Sequence, residues 1–562
     1  MLFSSAFEAS THYAHVVGVL SKSKLLTRVG YEFIMTLICH VSMLLPNPRE
    51  EHLSSVFLYS ILTLSCLFWL QKLLTIFRKG KSRLPPGPRG LPVVGYLPFL
   101  GRNLHKFFME LAREYGPIYK LSLGAKLFVI VSSPTIAKEI VRDLDVVFAN
   151  RNPRKASLAF SYGGKDIAFA PLGPQWRMLR RLFVHEMQSA ANLNAFCSHR
   201  RREVMKSARD LCCRTGLPVK IGEVAFHTVF NMITCMFWGG TLGEEEAARI
   251  GAEFREAVAR FTVLMAKPNV SDFFPLIARF DVQGVEREIK EVVAWIGRIF
   301  DFVINQHMSL EEVRADKGCE KRDFLQILLE YKNEETGSSI SPEQMKALLM
   351  DIFLGGTDTT YTMVEWTMTE LLLHPEVLLK VQKELDDIVG PNNMVEESHI
   401  HKLNYLHVVV KETLRLHPAG PLLLPRSPSQ TCTVGGYTIP EGTTVFLNVW
   451  AMHRDPQFWP DPSKFRPERF SVGGEAFELE YSGRNLHYMP FGSGRRVCAG
   501  LQLGERMLMY VLATFLHLFE WRLPPGMELD CEEKFGMVLE KATPLIAIAT
   551  QRVPNLHLIV KE

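Results

Sequence analysis

The chain has 562 residues, enough for several domains or for one domain with a large core. Its 64 lysines and arginines nearly balance its 60 aspartates and glutamates, so the formal net charge is only +4. No strongly charged face follows from this balance, and because the sequence also lacks a nucleic-acid motif we expect no nucleic-acid partner. Ten irregularly spaced cysteines without a CxxC pair give neither a disulfide framework nor a zinc pattern, which favours a reducing, cytosol-facing environment.

One segment near the N-terminus is apolar enough to cross a lipid bilayer. Residues 53–71 carry no charge, and a helix continued to Leu74 would be about 33 Å long, which exceeds a bilayer core of about 30 Å. Basic residues follow it and two glutamates precede it, which places the C-terminal side in the cytosol. The sequence therefore predicts a transmembrane anchor at 53–74, with a buried soluble helix as the alternative.

The residues before this anchor have no single assignment. Residues 1–52 contain several serines and the basic residues Lys22, Lys24 and Arg28. They also contain an uncharged run at 33–45 that is too short to span a bilayer alone. Three interpretations remain open: a targeting segment, a luminal extension, or a start site set too early, with initiation at Met43 instead.

A proline-rich segment follows the predicted anchor. Residues 84–92 hold four prolines and two glycines, a density that neither a helix nor a central strand tolerates. Together with the basic flank, this composition predicts a stiff hinge at 75–92 between the anchor and a globule. An ordinary loop is the alternative.

The remaining chain, 93–562, has the pattern of one large domain. Long amphipathic helical patterns dominate it, and it has neither a repeat nor a low-complexity linker. Short runs of β-branched and aromatic residues at 126–132 and 443–449 predict strands. We therefore expect a mainly α fold with a minor β sheet, in a single globule behind the N-terminal transmembrane helix.

The longest helical pattern begins at Ser341. Serine at the N-cap, proline at the first helical position and glutamine at the third form a capping box. The pattern continues to Leu373, where the sequence His374-Pro375 stops it. The predicted helix is about 48 Å long, at about 1.5 Å per residue.

Two glycines lie near the middle of this helix. Gly355 and Gly356 each cost about 1 kcal/mol relative to alanine, and Asp358 nearby is costly to bury without a partner. The helix therefore either carries a tolerated kink, or leaves room for something to approach its backbone beside this acid and the hydroxyl of Thr359.

Three later segments combine charges with one cysteine. Glu412 and Arg415 lie on one helix face, where they can pair, which is a common arrangement by itself. The sequence FRPERF follows at 465–470 and FGSGRRVCAG at 491–500. In the last segment Cys498 lies among glycines and arginines that can lower the pKa of a thiol.

In this order the motifs resemble those of the cytochrome P-450 superfamily of haem-thiolate monooxygenases. The resemblance spans nearly the whole chain after the predicted anchor, and it is most specific in the spacing of the cysteine loop. That spacing comprises Phe491, Gly494, Arg496, Cys498 and Gly500.

The resemblance implies haem b (iron protoporphyrin IX) as the cofactor. Cys498 would be the axial thiolate, which pushes electron density toward O–O cleavage. Gly494 and Gly500 would let the loop approach the porphyrin, and Phe491 would pack beside the sulfur. The haem propionates would be bound by four residues: Trp176, Arg180, Arg426 and Arg496.

The resemblance also implies a structural charge triad. Glu412, Arg415 and Arg469 would form it, and loss of one member would strand a buried charge at a cost of several kcal/mol. The triad would have an architectural rather than a catalytic role.

Above the iron, the resemblance places the middle of the long helix. Gly355 and Gly356 would leave a groove for dioxygen, and the acid and alcohol that follow, Asp358 and Thr359, would deliver protons to the distal oxygen. These two are the predicted catalytic residues.

Electrons must come from a separate protein, because the chain has no GxGxxG fingerprint. The resemblance implies NADPH-cytochrome P-450 reductase, docked on the cysteine side near Arg484 and Arg495. The implied reaction inserts one oxygen atom of O2 into a small hydrophobic substrate and reduces the other to water. The resemblance also implies substrate contacts from residues 157–172, the long helix, the stretch after Glu412 and Arg415, and a late loop at 538–544. These segments are rich in apolar residues, so we expect a hydrophobic pocket.

The sequence is most similar to plant microsomal members of the superfamily. The similarity implies a single-pass protein of the endoplasmic reticulum membrane with a cytosolic catalytic domain, and plastid targeting is the minor alternative. A terpenoid is the favoured substrate, and a flavonoid or phenylpropanoid is next. A haem-thiolate isomerase or dehydratase is disfavoured by Thr359, and a non-catalytic membrane haem protein would have no use for Asp358 and Thr359.

Overall fold

Helices make up most of the chain that the structure describes. The structure is a computed structural model, and it describes residues 83–238, 244–314, 323–332, 337 and 339–553. All of these lie in one compact unit that begins at Ser82. In these ranges no helix is both long enough and apolar enough to cross a bilayer. The predicted anchor at 53–74 and the extension before it lie outside the described residues.

The helices within the described ranges are numbered here in chain order. They are α1 Leu104–Tyr115, α2 Pro134–Lys138, α3 Asp145–Phe148, α4 Lys155–Phe160, α5 Pro174–Met187, α6 Ala190–Ala195, α7 Cys197–Cys213, α8 Ile221–Trp238, α9 Glu244–Ala266, α10 Val285–Arg314, α11 Phe324–Glu330, α12 Pro342–Leu373, α13 Pro375–Ile388, α14 Glu397–Ile400, α15 Asn404–Leu416, α16 Val449–Met452 and α17 Leu501–Leu518.

The strands form small sheets at the edges of the helical body. They are β1 Ile118–Leu123, β2 Lys126–Val131, β3 Pro218–Lys220, β4 Cys432–Val434, β5 Tyr437–Ile439, β6 Thr444–Leu447, β7 Phe519–Arg522, β8 Glu533–Phe535, β9 Leu539–Lys541 and β10 Ile546–Gln551. Their orders are β1-β2-β6, β3-β10-β7, β4-β5 and β8-β9. The predicted strands at 126–132 and 443–449 are confirmed as β2 and β6, which pair in parallel. The mainly α class with minor sheets is confirmed.

Helix α12 runs through the core without interruption for 32 residues. The Gln344 N–H donates to Ser341 Oγ at 3.2 Å, and the Ser341 N–H donates to Gln344 Oε1 at 2.8 Å. The predicted capping box and both helix ends are therefore confirmed. The helix is continuous through Gly355 and Gly356, so the two glycines do not end it.

Aromatic side chains fix α12 against its neighbours. Phe353 on α12 is buried, and its ring centroid lies 4.7 Å from that of Phe254 on α9 and 5.1 Å from that of Trp238 on α8. Burial of each such side chain contributes about 1.5–3 kcal/mol. Helix α12 also packs against α15 and α17, so it is a rigid support for whatever lies beside it.

The proline-rich segment lies along strand β1. Residues 83–90 form neither helix nor strand, as the sequence predicts. The Lys120 N–H donates to the Pro86 carbonyl at 2.7 Å, and a Cβ at Gly87 would lie 2.1 Å from the Lys120 carbonyl oxygen. Only glycine permits this close approach, so at least this part of the predicted hinge is docked on the sheet.

Candidate active site

The loop at 491–500 is a tight turn that ends at the start of α17. The Cys498 N–H donates to the Phe491 carbonyl at 2.9 Å, which closes the turn. Gly494 has a φ of +70°, and a Cβ there would lie 2.5 Å from both Asp145 Oδ1 and the Val141 carbonyl oxygen. Gly494 is therefore required by backbone conformation and by close packing, which places the cysteine at a fixed point before α17.

The Cys498 thiol faces an internal space. Its side chain is accessible, yet protein atoms surround it closely, so the accessible surface belongs to an interior cavity rather than to the outside of the molecule. Gly500 also borders open space, because a Cβ there would meet no heavy atom within 4 Å. Phe491 packs edge-on against Tyr481, with ring centroids 5.3 Å apart.

The expected lowering of the thiol pKa is not produced by the protein alone. Burial raises the pKa of Cys498, and the Gly500 N–H and the Arg180 guanidinium offset this effect only partly. The glycines and arginines beside Cys498 therefore do not lower its pKa unaided, because desolvation of a thiolate outweighs these few dipoles and one cation. A bound metal ion would be the strongest stabiliser of a thiolate here.

Arg496 and Trp176 form one stacked unit beside the loop. The Arg496 guanidinium lies 4.5 Å from the Trp176 ring centroid and donates to the carbonyls of Ala149 at 2.7 Å, Ile167 at 2.9 Å and Ala170 at 2.5 Å. The Trp176 indole N–H also donates to the Ile167 carbonyl, at 3.0 Å. Both side chains are thus fixed by the backbone of the segment before α5.

Arg180 and Arg426 reach the same loop from other elements. Arg180 donates to the Val497 carbonyl at 2.7 Å, and Arg426 donates to the Ser493 carbonyl at 2.6 Å. Arg426 is buried, and its Nη1 has no hydrogen-bond partner within the described chain; the nearest carboxylate oxygen, on Asp145, is 3.6 Å away. Burial lowers the pKa of Arg426 to about 10, so it is cationic at neutral pH.

These four residues suit a cofactor that carries carboxylates. Each touches the cysteine loop or a residue stacked on it, and Arg426 keeps a buried N–H group that its ion pair with Asp145 leaves without a hydrogen bond and that a carboxylate could accept. Haem has two propionates, so the residues present fit it. The structure thus brings together Trp176, Arg180, Arg426 and Arg496, as the sequence predicts, and their role remains a proposal.

The two glycines of α12 have different surroundings. A Cβ at Gly355 would meet nothing within 4 Å, whereas a Cβ at Gly356 would lie 2.8 Å from Ile233 Cδ1 on α8. Only Gly355 therefore borders open space, and Gly356 permits the close packing of α8 on α12. Thr359 donates its hydroxyl proton to the Gly355 carbonyl at 2.6 Å, so the alcohol lies at the same groove.

Asp358 is directed into the protein and has one specific partner. Its Oδ2 accepts a hydrogen bond of 3.2 Å from the hydroxyl of Thr262 on α9. Burial raises the pKa of Asp358 to about 7; the Thr262 hydrogen bond opposes this shift and the negative charge of Glu540 adds to it. This carboxyl can therefore gain and lose a proton near neutral pH, as an acid–base group must.

The three predicted triad residues are in direct contact and fully buried. Arg415 binds Glu412 through two N–H groups, at 2.7 and 2.8 Å, and Arg469 binds the same carboxylate at 3.2 Å. Arg415 also donates to the carbonyls of His453 and Pro462, and Arg469 donates to Glu475. The network joins α15 to the segment before the cysteine loop.

Sequence reasoning missed several residues that organise the site. Thr262 was missed because nothing local distinguishes it from other helical threonines. Asp166 and Asp351, which bind the segment before α5, were also missed. Asp351 had a usable signal, because it is a charged residue one turn before Gly355 in an otherwise apolar stretch.

A second cluster has the composition of a metal site but is fully explained by its own contacts. Glu370 binds His417 at 2.7 Å, and Cys531 Sγ lies 3.9 Å from the same carboxylate oxygen. The Trp366 ring stacks on His417 with centroids 3.9 Å apart. Burial raises the pKa of Cys531 to about 12, which disfavours the thiolate that a metal requires.

Comparison with known proteins identifies the class to which this fold and site belong. The family model for "Cytochrome P450" matches residues 85–548, and the chain belongs to this family. A zebrafish cytochrome P450 solved with progesterone matches 79% of this chain and 99% of its own, with a TM-score of 0.65 and 26% identity.

Plant enzymes are similar over more of the sequence. A flavonoid 3'-monooxygenase of Petunia hybrida is 37% identical over 503 residues, covering 88% of this chain and 96% of its own length. A flavonoid 3',5'-hydroxylase of Crocosmia x crocosmiiflora is 37% identical over 488 residues, covering 84% and 91%. A flavonoid 3'-monooxygenase of Arabidopsis thaliana is 36% identical over 487 residues, covering 85% and 94%.

The protein is therefore a cytochrome P450 monooxygenase, an oxidoreductase of a family that binds haem through a cysteine thiolate and uses O2, a redox partner and a small substrate. The alternatives of an isomerase or a non-catalytic haem protein are not retained. The terpenoid preference is corrected, because the plant relatives compared here are flavonoid hydroxylases.

Proposed function

We propose that this chain is a flavonoid hydroxylase that acts at the 3' position. The observation that carries the proposal is its identity of 36–37% to flavonoid 3'-monooxygenases over 85–88% of its length. The family model matches residues 85–548, a range that includes the segments predicted to line the substrate pocket as well as the cysteine loop.

Aromatic side chains near the predicted pocket suit a planar aromatic substrate. Phe160 on α4 stacks with Phe261 on α9 at a centroid distance of 5.2 Å and meets Phe169 edge-on at 5.9 Å. Phe169 belongs to the same segment that fixes Arg496, so substrate and cofactor regions share one loop. Stacking of aromatic rings contributes about 0.5–1.5 kcal/mol per pair beyond burial.

Haem b is the proposed cofactor, and Cys498 is its proposed ligand. The propionates would be held by Arg426 through its unpaired Nη1 and by Trp176, Arg180 and Arg496 after local adjustment of their present backbone hydrogen bonds. When bound, the haem supplies the activation of dioxygen that no side chain can perform. The chain's own residues hold it, exclude water and supply protons.

Two residues of α12 are proposed to move those protons. Thr359 would turn its hydroxyl from the Gly355 carbonyl, 2.6 Å away, toward a ligand in the groove. Asp358 titrates near pH 7 and would exchange protons with internal water. Both roles need only small side-chain rotations, because the helix itself is rigid.

Electrons are proposed to come from NADPH-cytochrome P-450 reductase, on an endoplasmic reticulum membrane. Arg495 follows Gly494 in the cysteine loop, and its side chain is 48% exposed while it binds Asp145. The carbonyl of Gly483, which precedes Arg484, accepts a hydrogen bond of 2.7 Å from Ser493 Oγ, so Arg484 lies beside the cysteine loop. These exposed bases would meet an acidic partner surface.

The experiment is turnover of the full chain with a plant reductase, NADPH and matched panels of flavonoids and terpenoids. We expect a product hydroxylated at the 3' position from flavonoids and none from terpenoids. Thr359→Ala should keep the haem but consume NADPH with little product. Turnover of terpenoids alone, by protein with a normal haem spectrum, would overturn the substrate proposal.

A further inference from the structure

We propose that Asp166 and Asp351 share one proton and act together as positioning residues for the loop 166–170, which holds Arg496 and Trp176. The proposal deepens the proposed function and rests on it in one respect, namely the role of Arg496 at the haem. Neither residue was among the predicted site residues. They lie 185 positions apart in the sequence, so only the fold brings them together.

Asp351 binds the loop from α12. Its Oδ2 accepts hydrogen bonds from the N–H groups of Ile167 at 2.6 Å and Ala168 at 3.1 Å. These bonds join the loop to the helix that carries Gly355 one turn later. A single carboxyl oxygen that accepts two amides is a directional clamp, and each of its two hydrogen bonds contributes about 0.5–1.5 kcal/mol even when the carboxyl is protonated.

Asp166 binds the other end of the same loop. Its carboxylate accepts from the N–H groups of Phe169 at 3.1 Å and Ala170 at 2.7 Å. Four consecutive amides, from Ile167 to Ala170, therefore end on two carboxyl groups. No regular helix or strand satisfies these groups, so the acids are what gives the loop its shape.

The carbonyl groups of this loop face cations instead. Arg496 donates hydrogen bonds to the carbonyls of Ile167 and Ala170, and Arg151 donates to the carbonyl of Ala168 at 3.0 Å. The loop is therefore held between two acids and two arginines. Displacement of either acid would move the acceptors of Arg496, and through them the stack on Trp176.

An unpaired oxygen indicates where the shared proton lies. Asp351 Oδ1 is buried and has no hydrogen-bond partner in the described chain when both acids are ionised. The two carboxyl groups bind consecutive amides of the same short loop, which brings them close to each other. A proton on Oδ1 that is donated to Asp166 satisfies this oxygen and removes the repulsion between two buried negative charges.

The electrostatics agree with one proton and one negative charge. Burial and the charge of Asp166 raise the pKa of Asp351 well above its usual range, and burial raises that of Asp166 to about 6. Arg496 and Arg151, on the carbonyl side of the loop, stabilise the charge that remains. Because the folded pair holds a proton that the unfolded chain releases, the clamp is favoured at low pH and weakens as pH rises.

The sharpest test uses asparagine and alanine at position 351. Asp351→Asn keeps an oxygen for the two amides and supplies an N–H to Asp166, which imitates the shared proton without titrating. Asp351→Ala removes both. We expect Asp351→Asn to bind substrate as the wild type does at pH 6 and to lose the wild type's weakening toward pH 9. We expect Asp351→Ala to bind about tenfold or more weakly, because the amides of Ile167 and Ala168 both lose their acceptor.

The measurement is the substrate-induced shift of the haem absorption band across pH, with Asp387→Asn on the exposed side of α13 as the matched control. Infrared difference spectra of the protein provide a readout that does not require haem. In wild-type-minus-variant spectra, bands of other protonated carboxyls such as that of Asp358 cancel. One protonated-carboxyl band should remain as wild-type signal, because it is present in the wild type and missing in Asp351→Asn and in Asp166→Asn.

The outcomes separate this proposal from the proposed function. A missing carboxyl band in the wild type, or an Asp351→Asn protein with the wild-type pH dependence, would overturn the shared proton. A normal band in a protein without a thiolate-type haem spectrum would instead overturn the cofactor assignment and leave the pair intact. If Asp351→Ala does not fold, the infrared comparison of the two asparagine variants decides alone.

Discussion

Thr262 on α9 and Asp358 on α12 are joined by a hydrogen bond of 3.2 Å between Oγ1 and Oδ2, although 96 positions separate them in the sequence. Thr262 Oγ1 also lies 3.1 Å from the Val258 carbonyl in its own helix. A hydroxyl has one proton, so it can donate to only one of these acceptors at a time. When Asp358 is protonated it can donate to Thr262, and Thr262 then donates to Val258; ionised Asp358 must compete for that proton.

This relationship predicts the effect of Thr262→Val on the pH profile. The hydrogen bond lowers the pKa of Asp358, so its loss should raise that pKa above about 7. If protonated Asp358 supplies the reaction, the alkaline limb of kcat should move to higher pH. Thr262→Ser keeps the hydroxyl and should leave the profile unchanged. Identical pH profiles of kcat for Thr262→Val and the wild type would show that Thr262 does not tune the pKa of Asp358 during the reaction.

Stability should also depend on Asp358. Its folded pKa is raised to about 7 from an unfolded value of about 3.9, so the folded state binds the extra proton between these values. Stability from this group is thus present at low pH and is lost as pH rises from about 4 through about 7. Asp358→Asn removes the titration, and we expect it to raise Tm relative to wild type more at pH 8 than at pH 5. Equal Tm differences at both pH values would contradict the raised pKa.

The two glycines of α12 should respond differently to alanine. Gly356→Ala forces a Cβ to within 2.8 Å of Ile233 Cδ1 and should destabilise the protein by about 1 kcal/mol. Ile233→Val should relieve much of that cost. Gly355→Ala meets nothing within 4 Å and should stabilise the helix by up to about 1 kcal/mol while reducing the coupling of NADPH use to product. Urea unfolding and product yield measure the two effects; destabilisation of equal size at both sites would contradict the assignment.

The buried triad should be sensitive to loss of its shared carboxylate. Glu412→Ala leaves Arg415 and Arg469 buried without their anion, which should cost about 3–5 kcal/mol. Glu475→Ala is the matched control, because Glu475 binds Arg469 but is 34% exposed, and its loss should cost about 1 kcal/mol or less. The free energy of unfolding and the haem content of purified protein test this. Equal losses of unfolding free energy in Glu412→Ala and Glu475→Ala would show that burial of the carboxylate does not decide the cost of its removal.

Much of this molecule was predictable because its signals are local. The capping box at Ser341, the end of α12 before Pro375, the strands β2 and β6 and the spacing of the cysteine loop each depend on residues a few positions apart. Glu412 and Arg415 are also only three positions apart, so their pairing could be predicted from the sequence.

The remaining features depend on contacts that only the fold creates. Gly356 packs on Ile233, which precedes it by more than a hundred residues, so the sequence could not separate it from Gly355. The partner of Asp358 lies on another helix for the same reason. The balance of effects at the Cys498 thiol could not be predicted either, because glycines and arginines are visible in the sequence, whereas the depth of burial that opposes them is not.

The carbon monoxide difference spectrum of the reduced protein tests the ligand assignment of Cys498 most directly. The wild type should show a band at about 450 nm, which a thiolate ligand produces, and Cys498→Ala should lose this band. Cys531→Ala is the matched control, because it removes another exposed cysteine and should keep the band. A band at this wavelength that persists in Cys498→Ala, or that disappears in Cys531→Ala alone, would contradict the account.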